Sequence, residues 1–119
     1  MTTKTLKPPP GTGKNGAVLW RDILASYDLE QHELQLLREA VRTVDLIDAL
    51  TALVATEGVV VTSPQGDKPH PGVVEGRQQR IVLARLLAAL RLPAGEEEAG
   101  DRRPQRRVGP RGVYKIGAA

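Results

Sequence analysis

Apolar side chains recur with helical spacing in three stretches of the chain. The first stretch predicts a short helix that begins near Ala17 and is capped near Asn15. Its apolar positions stand at i, i+3, i+4 and i+7 and are Trp20, Ile23, Leu24 and Tyr27. Because the two aromatic residues share one helical face with aliphatic neighbours, we expect them to belong to the core rather than to stack on bases.

The second stretch predicts one long helix in the middle of the chain. Asp28 is the expected N-cap, with Gln31 three residues later in a capping-box arrangement, so the helix should start at Leu29. No Pro or Gly follows until Gly58, which favours the left-handed conformation that ends helices. At about 1.5 Å per residue this helix is roughly 40 Å long.

Beyond Ala40 the long helix is apolar over a wide arc, so several neighbours must cover it. Ordinary packing within the chain accounts for Leu37, Val41, Val44 and Leu53. The chain has few other elements, and contact between subunits is therefore the preferred interpretation for the remaining apolar positions. These predicted interface residues are Leu36, Leu46, Ile47, Leu50 and Val54.

The third stretch follows a short polar segment. The β-branched residues 59–61 favour an extended strand. Residues 63–66 and the two prolines Pro69 and Pro71 mark turns, so a short β-hairpin or extended loop is expected. A third helix should begin after Pro71 and Gly72 and stop at Pro93. Its apolar face, which should pack back on the long helix, comprises Ile81, Leu83, Leu86, Leu87 and Leu90. The predicted fold is therefore mainly α, with the last two helices forming a helical hairpin.

Composition adds a reason to expect an oligomer. The 119 residues include one Trp, two Tyr and no Phe, so the core must be aliphatic and small. Small domains with small cores are marginally stable alone, and association is a common remedy. The chain has no Cys, which excludes a disulfide framework and a Cys-based zinc site. No apolar run approaches the roughly 20 residues that span a bilayer, so we expect a soluble protein with no membrane partner.

Charge is segregated along the chain, although the net value is only +3. Residues 1–15 carry three Lys and no acid, residues 16–100 carry eight basic and thirteen acidic side chains, and residues 101–119 carry six basic side chains and one acid. This predicts a flexible basic arm (1–15), a helical oligomerisation core (16–93), and an acidic linker with a basic flexible tail (94–119). The candidate DNA-binding residues are Lys7, Lys14, Arg102, Arg103, Arg106, Arg107, Arg111 and Lys115.

Basic side chains also occur in the third helix, and their role is open. Arg77, Arg80, Arg85 and Arg91 either line a basic surface around DNA or pair with acids of a neighbouring subunit. Glu75 stands close to the first two in sequence, which makes a structural ion pair reasonable.

No catalytic constellation is evident. The run Pro8–Lys14 resembles a phosphate-binding loop, but Pro8 stands where the first glycine is needed and Asn15 where a magnesium-binding Ser or Thr is needed. The two histidines, expected on an exposed helical turn (His32) and in a loop (His70), lack metal-binding spacing. Asp45 and Asp48 are expected on a polar edge of the long helix rather than in an acid–base pair. We therefore expect no enzyme activity, metal or cofactor.

Several of these features together resemble the P27 family of phage terminase small subunits. In that family a long helix ends in glycine, a brief β-turn segment carries a Gly and a His-Pro or Asn-Pro step, and a helix rich in Arg, Ala and Leu closes at a Leu-x-Pro-like end. The matching elements here are Gly58, the Gly66-Asp67 turn, His70-Pro71 and Leu92-Pro93. The resemblance covers residues 17–93.

The resemblance implies a non-catalytic subunit of a phage or prophage DNA-packaging machine in the host cytoplasm. Such a subunit forms a ring-shaped homo-oligomer, engages viral double-stranded DNA, and recruits or regulates the large terminase subunit that carries the ATPase and nuclease. No helix-turn-helix is evident, because the second helix begins with the acids Glu30 and Glu33. Two alternatives stay open: a small dimeric DNA-binding regulator and a protein-interaction adaptor.

Overall fold

The computed structural model describes residues 6–93 and 104–106. These residues form three helices and two short antiparallel strand pairs. In chain order the elements are α1 (Lys14–Ser26), β1 (Tyr27–Asp28), α2 (Gln31–Glu57), β2 (Val60–Ser63), β3 (Gly66–Pro69), α3 (Pro71–Leu90) and β4 (Gln105–Arg106). The predicted mainly helical architecture, with a short hairpin between the long helix and the last helix, is confirmed.

Helix α1 begins earlier than its apolar spacing indicates. Gly13 is the N-cap, and Asn15, the expected cap, lies inside the helix with its side-chain amide 2.8 Å from an Asp48 carboxylate oxygen. This early start is stabilised by a residue of α2, because the Asp45 carboxylate accepts the backbone N–H groups of Gly13 and Gly16. A cap supplied by a residue about 30 positions away is not visible in the local sequence.

Helix α2 begins two residues after the expected position. The capping box is formed by Glu30 and Glu33, whose carboxylate accepts the Glu30 backbone N–H at 2.7 Å, and the predicted pair of Asp28 and Gln31 is wrong. Asp28 is instead part of β1 and pairs with Gln105. The pairing holds Asp28 in extended backbone, so the helix cannot start until the chain has left the strand.

The β2–β3 hairpin connects α2 to α3. Its register pairs Val60 with Pro69 and Ser63 with Gly66, so the two-residue turn is Pro64–Gln65. The turn expected over residues 63–66 is confirmed, whereas the Gly66-Asp67 turn quoted for the family resemblance lies two residues too late. Gly66 opens β3 with φ 113°, a conformation that glycine adopts without strain.

Helix α3 packs along α2 in the expected helical hairpin and ends at Leu90. Its C-cap, Arg91, adopts the left-handed conformation with φ 53°, which turns the chain back toward α1. The Tyr27 hydroxyl then donates a 2.9 Å hydrogen bond to the carbonyl oxygen of Pro93. This contact joins the end of the hairpin to the junction between α1 and α2.

The buried core lies at one end of the molecule, where all three helices meet. Leu37, Val41 and Leu90 are the largest fully buried side chains among the described residues. Trp20 and Ile23 of α1 complete the cluster, and Tyr27 and Leu36 pack against it. The core roles predicted for Trp20, Tyr27, Leu37 and Val41 are thus confirmed. Leu53 was also expected in the core, but 42% of it is exposed because α1 does not extend that far along α2.

Part of the basic N-terminal segment contacts α1. Pro9 is buried, Thr12 donates its backbone N–H to the Pro9 carbonyl oxygen, and the Trp20 indole N–H donates to the carbonyl oxygen of Leu6. Residues 6–13 therefore pack on α1 without forming a helix or strand themselves; the rest of the predicted arm, residues 1–5, lies outside the described residues. At the other end, strand β4 falls within the predicted basic tail, and its Arg106 pairs with Tyr27.

Candidate assembly surface and nucleic-acid interface

The half of the molecule away from α1 lacks a buried apolar core. We call this region the distal half: the second part of α2 from Leu46, the β2–β3 hairpin, and α3 up to Ala89. Every one of these residues is described, and no large apolar side chain among them is buried. Seven of the nine large hydrophobic side chains exposed within the described residues lie here: Leu46, Leu53, Val59, Val60, Val74, Ile81 and Val82.

Two pairs of these exposed residues follow heptad spacing. Leu46 and Leu53 are seven residues apart on α2, so they share one face of that helix, and 43% and 42% of them are exposed. Val74 and Ile81 repeat the spacing on α3. Apolar residues seven apart on exposed helix faces are typical of helix–helix contacts. The distal half therefore presents an apolar stripe on each of its two helices.

The predicted interface residues occupy three different environments. Leu46 is exposed on α2, as described above. Ile47, Leu50 and Val54 are half-buried along α2, while Leu36 packs against the core cluster at the opposite end of the molecule. Leu36 therefore fits packing within the chain better than subunit contact, and the structure does not bring the five residues together on one surface.

A shallow groove separates α2 from α3 in the distal half. Its volume is about 150 Å³, and it opens to solvent beside Leu50, Val54 and Arg80. Gly72 faces it from the α3 side, and a Cβ at that position would lie 3.0 Å from a Val54 methyl group. The two helices are therefore in close contact at the start of α3. This contact does not cover the exposed side of α2 that carries Leu46 and Leu53.

His70 fixes the hairpin to both helices, and sequence reasoning placed it only in a turn. It is the N-cap of α3: its Nδ1 accepts the Gly72 backbone N–H at 2.8 Å, and its Nε2 lies 2.6 Å from a Glu57 carboxylate oxygen. The imidazole is 5% exposed. The available signal was the Pro that follows it, because Pro is favoured at the first position of a helix. The arrangement is structural and holds the end of α2 to the start of α3.

The candidate DNA-binding residues are only partly described. Lys7 and Lys14 are exposed, and Lys14 is the first residue of α1. Arg106 lies in β4, in register with Tyr27. The other five candidates, Arg102, Arg103, Arg107, Arg111 and Lys115, lie outside the described residues. The described part therefore does not bring the predicted cationic residues to one site.

The arginines of α3 are all exposed. Arg77, Arg80, Arg85 and Arg91 lie along the helix and its cap. The expected ion pair with Glu75 is absent, since that carboxylate accepts a hydrogen bond from the Gln79 side-chain amide at 2.7 Å. Arg80 instead points across to α2, where its guanidinium lies 3.5 Å from the Thr51 hydroxyl. Four basic side chains and one acid are therefore exposed along α3 and its cap.

Asp45 and Asp48 lie on a polar edge of α2, as expected, and they hold α1 to that helix. The two Asp45 carboxylate oxygens accept the backbone N–H groups of Gly13 and Gly16 at 2.8 and 3.1 Å. A Cβ at Gly16 would lie 2.6 Å from the same carboxylate, so glycine is required there. Negative charge at a helix N-terminus is stabilising. These acids are therefore structural, and a pair of glycines three residues apart was the sequence signal for the close approach.

Within the described part of the chain, no group of three or more His, Cys, Asp or Glu side chains is arranged to hold a metal ion. Over the same residues, no helix is both long enough and apolar enough to cross a membrane. No protein-family model, curated protein or solved structure matches this chain.

Proposed function

We propose that this chain is a small terminase subunit of a phage or prophage DNA-packaging motor. In this role it is a non-catalytic ring-shaped homo-oligomer that engages viral double-stranded DNA and recruits or regulates the large terminase subunit, which carries the ATPase and nuclease. The proposal takes its functional content from the sequence features of residues 17–93 that resemble that family. Its structural support is the exposed apolar surface of the distal half.

The observation that carries the proposal is the absence of a buried apolar core between Leu46 and Ala89. Removing apolar surface from water stabilises by about 25 cal/mol per Å². Exposed Val, Leu and Ile at heptad spacing on two helices therefore favour burial against further copies of the chain. A small aliphatic protein gains through such contacts the stability that its single compact core does not supply.

DNA contact in this proposal is electrostatic and multiplied by the number of subunits. The basic residues at both ends of the chain suit contact with phosphate, because Lys and Arg neutralise the backbone without reading bases. Each subunit contributes a few contacts, and a ring presents them together, so binding is strengthened by avidity even where one subunit binds weakly. Release of condensed counterions then makes the affinity fall steeply with salt.

The proposal is tested by measuring DNA binding of the intact protein over a salt series. Fluorescence anisotropy with a labelled duplex of about 30 base pairs should show binding that weakens linearly on a log–log plot, with a slope of several units. Cutting the chain after Arg106 removes three candidate cations, Arg107, Arg111 and Lys115, and retains strand β4. This variant should bind with a shallower slope.

Two outcomes contradict the proposal. Absence of duplex binding at physiological salt favours the protein-interaction adaptor. Tight binding of one short sequence by a dimer favours the DNA-binding regulator. Recruitment of the large subunit is examined separately by co-purification of the two co-expressed proteins, and a packaging role requires that they form a complex.

A further inference from the structure

The two apolar stripes of the distal half face in different directions. We call them the α2 stripe (Leu46 and Leu53) and the α3 stripe (Val74 and Ile81). Gly72 faces α2, because a Cβ there would lie 3.0 Å from a Val54 methyl group. Val74 follows two residues later, about 200° around the helix, so the α3 stripe is on the side turned away from α2.

The α2 stripe lies on a flank of the helical hairpin. Leu50 and Val54 line the groove between α2 and α3, so this side of α2 faces α3. Leu53 is one residue from Val54, about 100° around the helix, and is therefore displaced from the groove by more than a quarter turn. Each copy of the chain thus presents two separate apolar surfaces rather than one.

An assembly can cover these stripes in two ways. In an isologous contact, each stripe meets the same stripe of another copy. In a heterologous contact, the α2 stripe of one copy meets the α3 stripe of the next copy. A heterologous contact repeats around an axis and can close into a ring, whereas a single isologous contact ends at a dimer.

The charged residues beside the stripes favour the heterologous contact. From Leu46 to Glu57, α2 carries acids and no base. Glu57 stands eleven residues after Leu46, in line with the α2 stripe, and 52% of its side chain is exposed. Arg77 and Arg85 are the exposed charges nearest the α3 stripe, within about 60° around the helix. Two α3 stripes in contact would bring like charges together, which opposes that pairing.

We propose that the α2 stripe of one copy packs on the α3 stripe of the next copy, in a heterologous contact that continues around the ring. The inference rests on the proposed function and names the surfaces that each copy offers to its two neighbours. Glu57 is the last residue of α2, and Arg77 lies in the second turn of α3, so both stand near the hairpin. Rotation about one axis keeps the hairpins of neighbouring copies on the same side of the ring, and the contact therefore brings these opposite charges together.

The test uses two double variants of the full-length protein, each of which removes one stripe. Leu46→Gln with Leu53→Gln removes the α2 stripe, and Val74→Gln with Ile81→Gln removes the α3 stripe. Leu6→Gln with Val18→Gln is the matched control, because these two side chains are exposed and lie outside the distal half. Native mass spectrometry gives the mass of each variant alone and of an equimolar mixture of the two stripe variants, one of them labelled with ¹⁵N.

We expect each stripe variant alone to be a monomer, because every heterologous contact needs both stripes. The mixture should form a 1:1 heterodimer and stop there, since the one intact α2 stripe meets the one intact α3 stripe. The control should keep the wild-type mass. Circular dichroism checks the fold of each variant, and Ala replaces Gln at the same positions if the helical signal is lost, because Ala has the highest helix propensity.

Three results overturn the inference while the wild-type protein still forms a ring. A stripe variant that dimerises alone would show that the remaining stripe pairs with itself. A mixture that stays monomeric would show that the two stripes do not meet. A control that dissociates as fully as the stripe variants would place the contact outside the distal half. If the wild-type protein forms no assembly, the proposed function fails first, and the inference fails with it.

Discussion

The two ends of the helical hairpin use the same kinds of residue in opposite ways. At the core end, α1 and the last turn of α3 cover α2, and Leu37, Val41 and Leu90 are fully buried. In the distal half the same helices carry Leu53 and Ile81 with more than two fifths of each exposed. The difference is the presence of α1, whose first turn contacts Asp45 and Asp48 and which covers α2 only from there toward the core end. An apolar helix surface is therefore covered only where a third element lies on it.

This contrast assigns different tasks to the two ends. The core end is complete within one chain, since the starts of α1 and α2 are capped and Trp20 is buried. The distal half is held together by His70 and the hairpin, yet its apolar stripes lack a cover within the described residues. We infer that the core end stabilises the subunit and that the distal half forms the contacts of the proposed assembly.

The largest difference between the core end and the distal half is expected when one leucine at each end of α2 is truncated to alanine. Leu37→Ala should lower the free energy of unfolding by about 3 kcal/mol, because it leaves a cavity in the core. Leu53→Ala should lower it by less than about 1 kcal/mol when the protein is dilute enough to be monomeric. Urea denaturation followed by circular dichroism gives both values. Equal losses would show that the distal half has a core of its own.

Replacing either of two glycines by alanine should change the stability in opposite directions. Gly16→Ala should destabilise by about 2 kcal/mol, since its Cβ would meet the Asp45 carboxylate at 2.6 Å and displace a cap. Gly76→Ala should stabilise by about 0.5–1 kcal/mol through helix propensity. The nearest atom to its Cβ, at 3.2 Å, is the flexible end of Arg80. Thermal unfolding of the two variants shows whether each substitution raises or lowers stability. Destabilisation by both would mean that α3 leaves as little space for a Cβ at Gly76 as α1 leaves at Gly16.

Asp45 should contribute more than Asp48 to holding α1 against α2. Asp45→Asn should destabilise by about 1–2 kcal/mol, because two backbone N–H groups lose a charged acceptor. Asp48→Asn is the matched control, and it weakens a single exposed contact with Asn15, for a loss of less than about 0.5 kcal/mol. Chemical denaturation distinguishes the two, and similar losses would contradict the capping role of Asp45.

His70 provides the smallest test and concerns the distal half alone. His70→Ala should destabilise by about 1 kcal/mol through loss of the α3 cap. It should also speed hydrogen exchange at the Gly72 amide, because that N–H would lose its hydrogen bond to the His70 Nδ1 atom. His70→Asn should keep that amide protected, because Asn is a good N-cap, while the contact with Glu57 is lost. If Ala and Asn behave alike, the imidazole acts through the Glu57 contact and not as a cap.

Periodicity predicted the three helices and the core roles of Trp20 and Leu37, and the β-branched run with its turn residues predicted the hairpin between α2 and α3, because all of these depend on the local sequence. The local pattern misplaced the starts of α1 and α2, since one depends on Asp45 and the other on a strand pairing with Gln105. It also placed Leu53 in the core. Each error has the same physical cause: a distant segment decides the outcome, and the local pattern does not record which segment is present.

The candidate surface was predictable only in part. A wide apolar arc on α2 indicated that some residues need a further partner, but it did not separate Leu36, which packs at the core end, from Leu46, which is exposed.

The mass of the intact assembly, measured by native mass spectrometry, tests most directly whether the distal half joins subunits. The wild-type protein should form a discrete assembly larger than a tetramer, as a ring requires. Leu46→Gln with Leu53→Gln should reduce it toward the monomer while the helical signal in circular dichroism is retained. A wild-type monomer or dimer, or a double variant with unchanged mass, would contradict the account.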